Sequence, residues 1–212
     1  MQMQSESKTN ILRRIADVSP RSSAIASLSI SNEGIYKEID MDLLSCFCKE
    51  LGAVNGQVIV CENKSEVYAR ILDLTSKHEI NEVGCLEPEI LKELSKLGLE
   101  LSNADGDFGN MQLGITGCEY LVARTGSVIV TSRLASGRKM NVFPPTHVIV
   151  ASQSQLVGFL DEAINRISEK YKNNIPSTIS VVTGPSRTAD IEKSLVLGAH
   201  GPKELFVLIS KE

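Results

Sequence analysis

Apolar positions recur along this chain at two spacings, one typical of helices and the other typical of buried strands. From Asp40 onward, apolar side chains such as Leu43, Phe47 and Leu51 repeat at helical intervals. Short apolar runs bounded by turn residues lie between the helical stretches, and they predict strands. These runs lack a polar residue at every second position, as is typical of strands covered on both faces. The pattern predicts an α/β protein with a three-layer, mostly parallel sheet.

The same pattern places the individual elements. Helices are predicted over 43–51, over 64–74 behind an Asn63 cap, and over 88–97, 156–171 and 188–197. Strands are predicted over 57–61, 82–86, 120–123, 128–132, 147–151, 178–183 and 204–210. Residues 102–113 are predicted to be a loop. The Thr125-Gly126 turn predicts an antiparallel insertion near residues 119–132.

Residues 1–38 differ from the rest of the chain. Ile11, Leu12, Ile15 and Val18 have helical spacing, and Ser19-Pro20 should end that helix. The Ser-rich segment that follows, over 19–38, has little core content and is predicted to be a linker. The expected organisation is therefore an N-terminal helix and linker over 1–38 and one α/β domain over 39–212.

Composition narrows the classes of partner. The net charge is −4, aromatic residues make up 4% of the chain and Trp is absent, so we expect no nucleic-acid partner. No apolar run approaches the ~18 residues of a membrane span. The five cysteines lack disulfide or metal-ligand spacing. They are expected to be reduced structural thiols in a cytoplasmic protein, with no metal site in this chain.

The standard catalytic signatures are missing. No Gly-x-Gly-x-x-Gly motif follows a strand, and neither Gly-x-Ser-x-Gly nor His-Glu-x-x-His occurs. Gly109 and Gly114 have the spacing of a phosphate-binding loop, but Ile115 stands where that loop needs lysine. The common kinase, hydrolase and zinc-protease classes therefore lose support.

The stretch from Val181 to Pro202 is the first candidate site. An apolar strand runs into a Gly-Pro-Ser-Arg turn and a predicted helix N-terminus, whose free N–H groups would suit an anion. A second turn closes the predicted helix. The candidate ligand-binding residues of this stretch are Thr183, Gly184, Ser186, Arg187 and His200. The alternative is an ordinary, well-capped strand–turn–helix connection.

Two further stretches carry polar residues at strand ends or in glycine turns. Thr116, Gly117 and Glu119 lie in the first, with Glu119 either a nucleophile or base, or else a cap of the Gly117 turn or the partner of a nearby arginine. Arg138 and His147 lie in the second, and His147 is either a titrating group or a hydrogen-bonded structural residue. We expect these turns and the 181–202 stretch to meet at one rim of the sheet, where α/β proteins place ligand sites.

The sequence resembles the LUD domain family and is most similar to its C-type lactate-utilisation branch. The resemblance covers about residues 40–212 and is carried by four motifs. They are Gly-Ile-Thr-Gly-Cys-Glu, Thr-Gly-Ser-Val-Ile-Val-Thr-Ser, Gly-Arg…Pro-Pro-Thr-His-Val and Thr-Gly-Pro-Ser-Arg-Thr-Ala-Asp-Ile-Glu…Gly-Ala-His-Gly-Pro. It implies the fold of the phosphosugar isomerase, CoA-transferase and cyclo-ligase group (NagB/RpiA/CoA transferase-like). It also implies a part in a three-component, iron–sulfur-dependent oxidation of L-lactate to pyruvate, with the clusters held by partner subunits.

Two functions of different classes follow. The first is an accessory or regulatory subunit of a lactate-oxidising system that binds a small anionic metabolite. The second is a stand-alone enzyme acting on a phosphorylated or CoA-linked metabolite, with Glu119 as its catalytic residue. A metabolite-sensing module would differ from the second only in lacking turnover.

Overall fold

The computed structural model describes residues 3–17, 38–101, 108, 110–136, 138–188, 196–198 and 200–212. It divides into two units, residues 1–38 and residues 39–212. The first contains helix α1, Met3–Asp17, with Ile11, Leu12 and Ile15 exposed. The helix predicted around these residues is confirmed. Val18 and the linker predicted over 19–38 lie outside the described residues, except for Glu38 at the end of the linker. In the part of the chain that the structure describes, no helix is long and apolar enough to cross a membrane.

The second unit is built on a five-stranded sheet in the order β1-β11-β6-β3-β2. Its strands are β1 Gln57–Cys61, β2 Val83–Cys85, β3 Leu113–Thr116, β6 Thr146–Ser152 and β11 Glu204–Ser210. All four neighbouring pairs are parallel. The predicted α/β class with a mostly parallel sheet is therefore confirmed. Strand β3 was not predicted, because Gly114 and Thr116 dilute its apolar pattern.

A second, four-stranded sheet lies against the first. Its order is β7-β4-β5-β8, formed by β4 Tyr120–Val122, β5 Ser127–Thr131, β7 Leu156–Val157 and β8 Ile179–Val182. The β4–β5 hairpin is antiparallel, as Thr125-Gly126 predicted. It does not insert into the main sheet, however. It pairs on its far side with β8, the strand predicted over 178–183.

Helices cover the sheets with their apolar faces. Helices α3, Lys64–Lys77, and α4, Pro88–Lys96, pack on one face of the parallel sheet. Helix α2, Leu43–Ala53, and strands β4 and β5 pack on the other face. Helix α5, Leu160–Tyr171, covers the outer face of the second sheet. Because β4 and β5 bury both faces, their side chains alternate between two apolar cores.

The helix starts follow from local capping. Asp42 accepts a hydrogen bond from the Ser45 N–H (2.9 Å) and begins α2. Asn63 accepts one from the Glu66 N–H (3.0 Å) and begins α3, as the sequence predicted. Helix α5 begins at Leu160 rather than Leu156, because Leu156 and Val157 pair with β4 as strand β7.

The helix predicted over 188–197 is wrong at both of its ends. Arg187–Thr188 forms strand β9, and it pairs antiparallel with β10, Val196–Leu197. Residues 189–195 lie outside the described residues. The Gly184–Arg187 turn therefore leads into a strand, and the helix N-terminus expected directly behind it, at Thr188, is not formed there.

Candidate functional site

The carboxyl ends of the parallel strands surround a cavity of the domain. Its volume is about 490 Å³. Gly117 follows β3, Ser152 ends β6 and Ser210 ends β11, and all three line the cavity. The carboxyl edge of a parallel sheet is where α/β proteins bind their ligands, because loops and helix starts converge there. We call this space the carboxyl-edge cavity.

Two helices begin at this cavity. Lys64 opens α3, and Pro88 opens α4. The residue before α4, Glu87, makes no capping hydrogen bond with its side chain, and its carboxylate instead accepts one from the Ser136 N–H (3.2 Å). The first N–H groups of α4 therefore lack a side-chain partner, and the positive end of the helix faces the cavity. Glu87 and Glu89 at the rim oppose this field.

Two side chains add hydrogen-bond donors to the lining. Lys64 is exposed and makes no ion pair within the described part of the chain. Tyr68 is partly buried, and burial raises the pKa of its hydroxyl, which therefore stays protonated. Val67, Ile90 and Val150 supply apolar wall. The cavity combines donors with an apolar surface, as small-molecule sites do.

Gln155 fixes the segment between strands β3 and β4 that forms one wall of the cavity. Its Nε2 donates to the Cys118 carbonyl (2.6 Å), and its Oε1 accepts from the Ser152 N–H (2.8 Å). One side chain thus fixes the loops that follow two neighbouring strands. Sequence reasoning missed Gln155 and Ser152. Their position just after the strand predicted over 147–151 was the available signal.

The cysteines at the carboxyl ends are unreactive thiols. Burial strongly raises the pKa of Cys118, which lines the cavity, and raises that of Cys85 to about 12. A thiol of this kind stays protonated near neutral pH and is a poor nucleophile. Neither cysteine therefore serves as a nucleophile at the cavity. The chemistry that the described lining offers is the binding and orienting of a ligand.

The predicted site residue Glu119 lies outside this cavity. Its side chain is 1% exposed, and its carboxylate accepts hydrogen bonds from Lys170 Nζ (2.8 Å), Tyr171 Oη (2.6 Å) and Thr131 Oγ1 (2.8 Å). Burial raises the pKa of Glu119, but the hydrogen bonds from Lys170, Tyr171 and Thr131 outweigh it, and the net pKa is lowered. The carboxylate is therefore ionised and engaged, which matches the ion-pair alternative, with lysine rather than arginine as the partner.

Thr116 and His147 lie together inside the sheet. Thr116 Oγ1 and His147 Nε2 are 2.9 Å apart, and both residues are fully buried. Burial lowers the pKa of His147 to about 4, so the ring is neutral at physiological pH. This is the arrangement expected of a hydrogen-bonded structural histidine. Among the predicted site residues, Gly117 lines the carboxyl-edge cavity.

The remaining predicted residues lie elsewhere. Arg138 donates to Ser177 Oγ (2.9 Å) beside a different cavity. Thr183 shares a hydrogen bond with Ser127 (2.8 Å), and His200 is exposed. The 184–187 and 198–202 turns do meet, since the Ser186 N–H donates to the Pro202 carbonyl (2.8 Å).

That meeting point is at the opposite edge of the parallel sheet. Arg187 lines a cavity of about 460 Å³ together with Gln57, Thr146 and Glu204, the first residues of β1, β6 and β11. Gly117 lies at the carboxyl edge, whereas Arg187 lies at the amino edge. The expectation that all these turns meet at one rim is therefore wrong.

The mostly parallel sheet covered by helices places the chain in the α/β class, with a cavity at the carboxyl edge of the sheet. Within that class the chain belongs to the LUD domain family, which it matches over residues 44–210. It is similar to a DUF162 family protein from Deinococcus radiodurans, with a TM-score of 0.61 and 16% sequence identity. That likeness covers 79% of this chain and 96% of the solved one, and it supports the fold.

Curated relatives match a shorter segment. Lactate utilization protein C of Bacillus subtilis (strain 168) is 37% identical over 101 residues, which are 46% of this chain and 42% of that protein. Lactate utilization protein C of Bacillus licheniformis is 36% identical over 100 residues, again 46% of this chain and 42% of the relative. The match thus spans less than half the length of these relatives.

Proposed function

We propose that this protein is an accessory component of a lactate-utilisation system, and that it holds a small anionic metabolite in the carboxyl-edge cavity. The observation that carries the proposal is the family match over residues 44–210, with relatives named lactate utilization protein C. In the proposed system, L-lactate is oxidised to pyruvate by iron–sulfur subunits. The present chain acts beside them.

The geometry supports an acid as the ligand. The uncapped start of α4 and the unpaired ammonium of Lys64 both favour negative charge, and the Tyr68 hydroxyl can donate to a carboxylate oxygen. The rim carboxylates Glu87 and Glu89 reduce this attraction. A weakly held metabolite is consistent with that balance.

The burial of the cysteines supports the assignment of the iron–sulfur centres to partner subunits. Cys61 and Cys85 belong to one apolar core, and Cys46 and Cys118 belong to the other. Burial raises the pKa of all four thiols. Cluster ligation needs thiolates, so these residues suit packing better than iron.

Growth on L-lactate tests the biological part of the proposal. A strain lacking the gene should grow slowly on L-lactate and normally on glucose, and the wild-type gene should restore growth. Complementation with Lys64→Gln should restore growth on L-lactate only poorly if the carboxyl-edge cavity holds the metabolite. Lys77→Gln, at the other end of α3, is the matched control and should complement fully. Normal lactate growth of the deletion strain would contradict the proposal.

The cavity volume favours a second candidate function. About 490 Å³ lies in the range that accommodates drug-sized ligands, and a three-carbon acid would fill a small part of it. A stand-alone enzyme acting on a phosphorylated or CoA-linked metabolite would use the space better. Thermal-shift titrations with L-lactate, pyruvate, coenzyme A and a sugar phosphate separate the two candidates. A shift with coenzyme A that Lys64→Gln removes, and no shift with lactate or pyruvate, would favour the second.

A further inference from the structure

A second cavity, outside the proposed metabolite site, is lined by hydrogen-bond donors. Its volume is about 480 Å³. Its polar and aromatic lining consists of Ser132, Ser136, Ser177, Arg138, Lys139 and Phe108. Within the described part of the chain, no aspartate or glutamate lines it. We call it the Ser136 cavity.

Its two cations keep most of their hydrogen-bonding capacity. Arg138 donates to Ser177 Oγ (2.9 Å), which uses one of the five N–H groups of a guanidinium. Lys139 Nζ lies 5.1 Å from the centre of the Phe108 ring. Among the described residues, no carboxylate pairs with either cation of this cavity.

Ser136 supplies an independent indication of a ligand. The residue is 2% exposed, and its Oγ has no hydrogen-bond partner in the described structure. Its N–H is fixed to the Glu87 carboxylate (3.2 Å), which holds the residue in place at the cavity wall. Buried hydroxyls are rarely left without a partner, and rotation about the Cα–Cβ bond would turn this one toward an acceptor.

A neighbouring arginine shows the contrast. Arg133 lies on the same loop, but its guanidinium donates to both the carbonyl and the side-chain oxygen of Asn174. It does not line the Ser136 cavity. Of these two arginines, Arg133 binds Asn174, whereas Arg138 lines the cavity and forms no ion pair with a described carboxylate.

We propose that the Ser136 cavity binds the phosphate group of a phosphate monoester. A monoester phosphate carries nearly two negative charges at neutral pH and three acceptor oxygens. Two cations and a hydroxyl, none of them paired with a described carboxylate, match that charge and that number of acceptors, whereas a monocarboxylate would leave one cation unneutralised. The volume leaves room for the organic part of the ligand.

This site is distinct from the carboxyl-edge cavity. The two spaces share one wall, where the Ser136 N–H meets Glu87, and Glu87 faces the carboxyl-edge cavity. The lining of the Ser136 cavity carries no acid among the described residues, whereas Glu87 and Glu89 line the other. The two cavities therefore differ in the charge of their described lining.

Calorimetric titration of the full chain with glycerol 3-phosphate, and separately with inorganic phosphate, tests the proposal at low ionic strength. Wild type should bind glycerol 3-phosphate saturably. Arg138→Gln and Lys139→Gln should each weaken binding by about tenfold, since each removes one charge-assisted contact. Arg133→Gln is the matched control and should bind as wild type does. Binding of glycerol 3-phosphate with no binding of inorganic phosphate identifies an ester, and equal binding of both identifies a site for free phosphate.

Ser136→Ala separates ligand binding from folding. Removal of an unpartnered hydroxyl should leave the melting temperature without ligand unchanged or raised, while affinity for glycerol 3-phosphate falls by about threefold. The proposal is overturned if neither phosphate compound binds saturably. It is equally overturned if Arg133→Gln weakens binding as much as Arg138→Gln does, because general surface charge would then explain the binding.

Discussion

Glu119 is the residue at which burial, charge and hydrogen bonding are most tightly combined. It follows strand β3 and precedes β4, yet its carboxylate points to the last turn of α5, where it meets Lys170 and Tyr171. Lys170 is 54% exposed, whereas the Glu119 side chain is 1% exposed. The pair therefore has one solvated and one buried partner, and the cost of burying the carboxylate is offset by three donors.

We expect Glu119→Gln to lower the free energy of unfolding by about 2 kcal/mol, the order of a hydrogen bond to a charged group. The change keeps the shape of the side chain and removes the charge that Lys170 meets. Urea denaturation measures it. Glu93→Gln is the control, because Glu93 and Lys96 form an exposed ion pair (2.6 Å) whose loss should change stability little. Equal effects of the two substitutions would contradict this account.

The stabilisation by Glu119 should also depend on pH. Its pKa is lowered in the folded protein, so its contribution is complete above the pKa of an unfolded glutamate, about 4.3. The contribution is lost as pH falls through the folded value, because the carboxylate is then protonated in both states. The difference in unfolding free energy between wild type and Glu119→Gln should therefore shrink in acid. A difference that stays constant down to about pH 3 would contradict the pKa shift.

His147 should make the fold sensitive to acid in a higher pH range. Burial lowers its pKa to about 4, whereas an unfolded histidine has a pKa of about 6.5. The unfolded chain takes up a proton as pH falls through 6.5, and the folded chain does so only near 4, so stability is complete above about 6.5 and falls below it. We expect His147→Gln to remove about 3 kcal/mol of pH dependence between these values.

Two measurements check the His147 prediction. The slope of unfolding free energy against pH should flatten in His147→Gln and stay unchanged in His78→Gln, whose side chain is exposed at the end of α3. If His147→Gln does not fold, an NMR titration of the wild-type ring supplies the value directly. A His147 ring that titrates near 6.5 in the folded protein would refute the prediction.

At single residues, the sequence was informative wherever local chemistry decides the outcome. Asn63 caps α3 because its side chain reaches an N–H three residues away. Glu119 could not be assigned in the same way, since its partners Lys170 and Tyr171 lie some fifty positions further along the chain. Gln155 was missed for the same reason. Its contact with the Cys118 carbonyl exists only because β4 and β7 pair.

Among the elements, helix α2 depends on its close contact with the 3₁₀ turn Ala123–Thr125. Gly126 ends that turn with φ +60°, and a Cβ there would lie 2.2 Å from the Leu51 backbone nitrogen. Because backbone atoms of α2 cannot yield as a side chain can, this close approach requires a glycine at position 126. Leu51 is fully buried at this contact.

Gly126→Ala should destabilise the protein by about 3 kcal/mol, through both the strained φ and the displacement of α2. Gly52→Ala is the matched control, because no atom lies within 4 Å of its Cβ position and it is inside α2. That change should be neutral or stabilising by up to about 1 kcal/mol, as is usual for alanine in a helix. Thermal unfolding measures the stability of both variants. A Gly126→Ala protein as stable as wild type would show that α2 lies further from Gly126 than the structure places it.

Elements were predicted correctly where their own sequence determines the structure. They were predicted wrongly where pairing with a distant strand determines it. Helices α2 and α3 carry caps and apolar faces in a single stretch of chain, and α4 carries an apolar face behind Pro88 at its first position. Strand β3 has only four residues, and β9 and β10 have two each, so their extended form comes from partners elsewhere. The stretch from Thr188 to Leu197 has a helix-like composition, but at its two described ends, Thr188 and Val196–Leu197, antiparallel pairing overrides that preference.

At the scale of the whole molecule, the topology distributes the glycine turns over both edges of the sheet. A turn after a parallel strand lies at the carboxyl edge, and a turn before one lies at the amino edge. The Gly184–Arg187 turn follows β8, which belongs to the antiparallel sheet, so that rule did not apply to it. Sequence motifs gave the family and the fold class. The edge at which each motif lies followed only from the strand order.

The distribution of core residues predicts which part of the chain folds alone. All three apolar cores draw their described residues from positions 39–209. The fragment 39–212 should therefore unfold cooperatively, with a midpoint within about 5 °C of the full chain. Circular dichroism during heating measures both midpoints.

A second truncation makes that test specific. A fragment that begins at residue 48 lacks Phe47, which is fully buried, and the start of α2 with its Asp42 cap. Losing a large core side chain and a helix start should cost more than about 4 kcal/mol, a large part of the stability of a domain this size. Cooperative unfolding of 39–212 together with failure of 48–212 would set the domain boundary between them. A fragment 39–212 without a cooperative transition would mean that residues 1–38 contribute to folding, because the remaining chain keeps every core residue described.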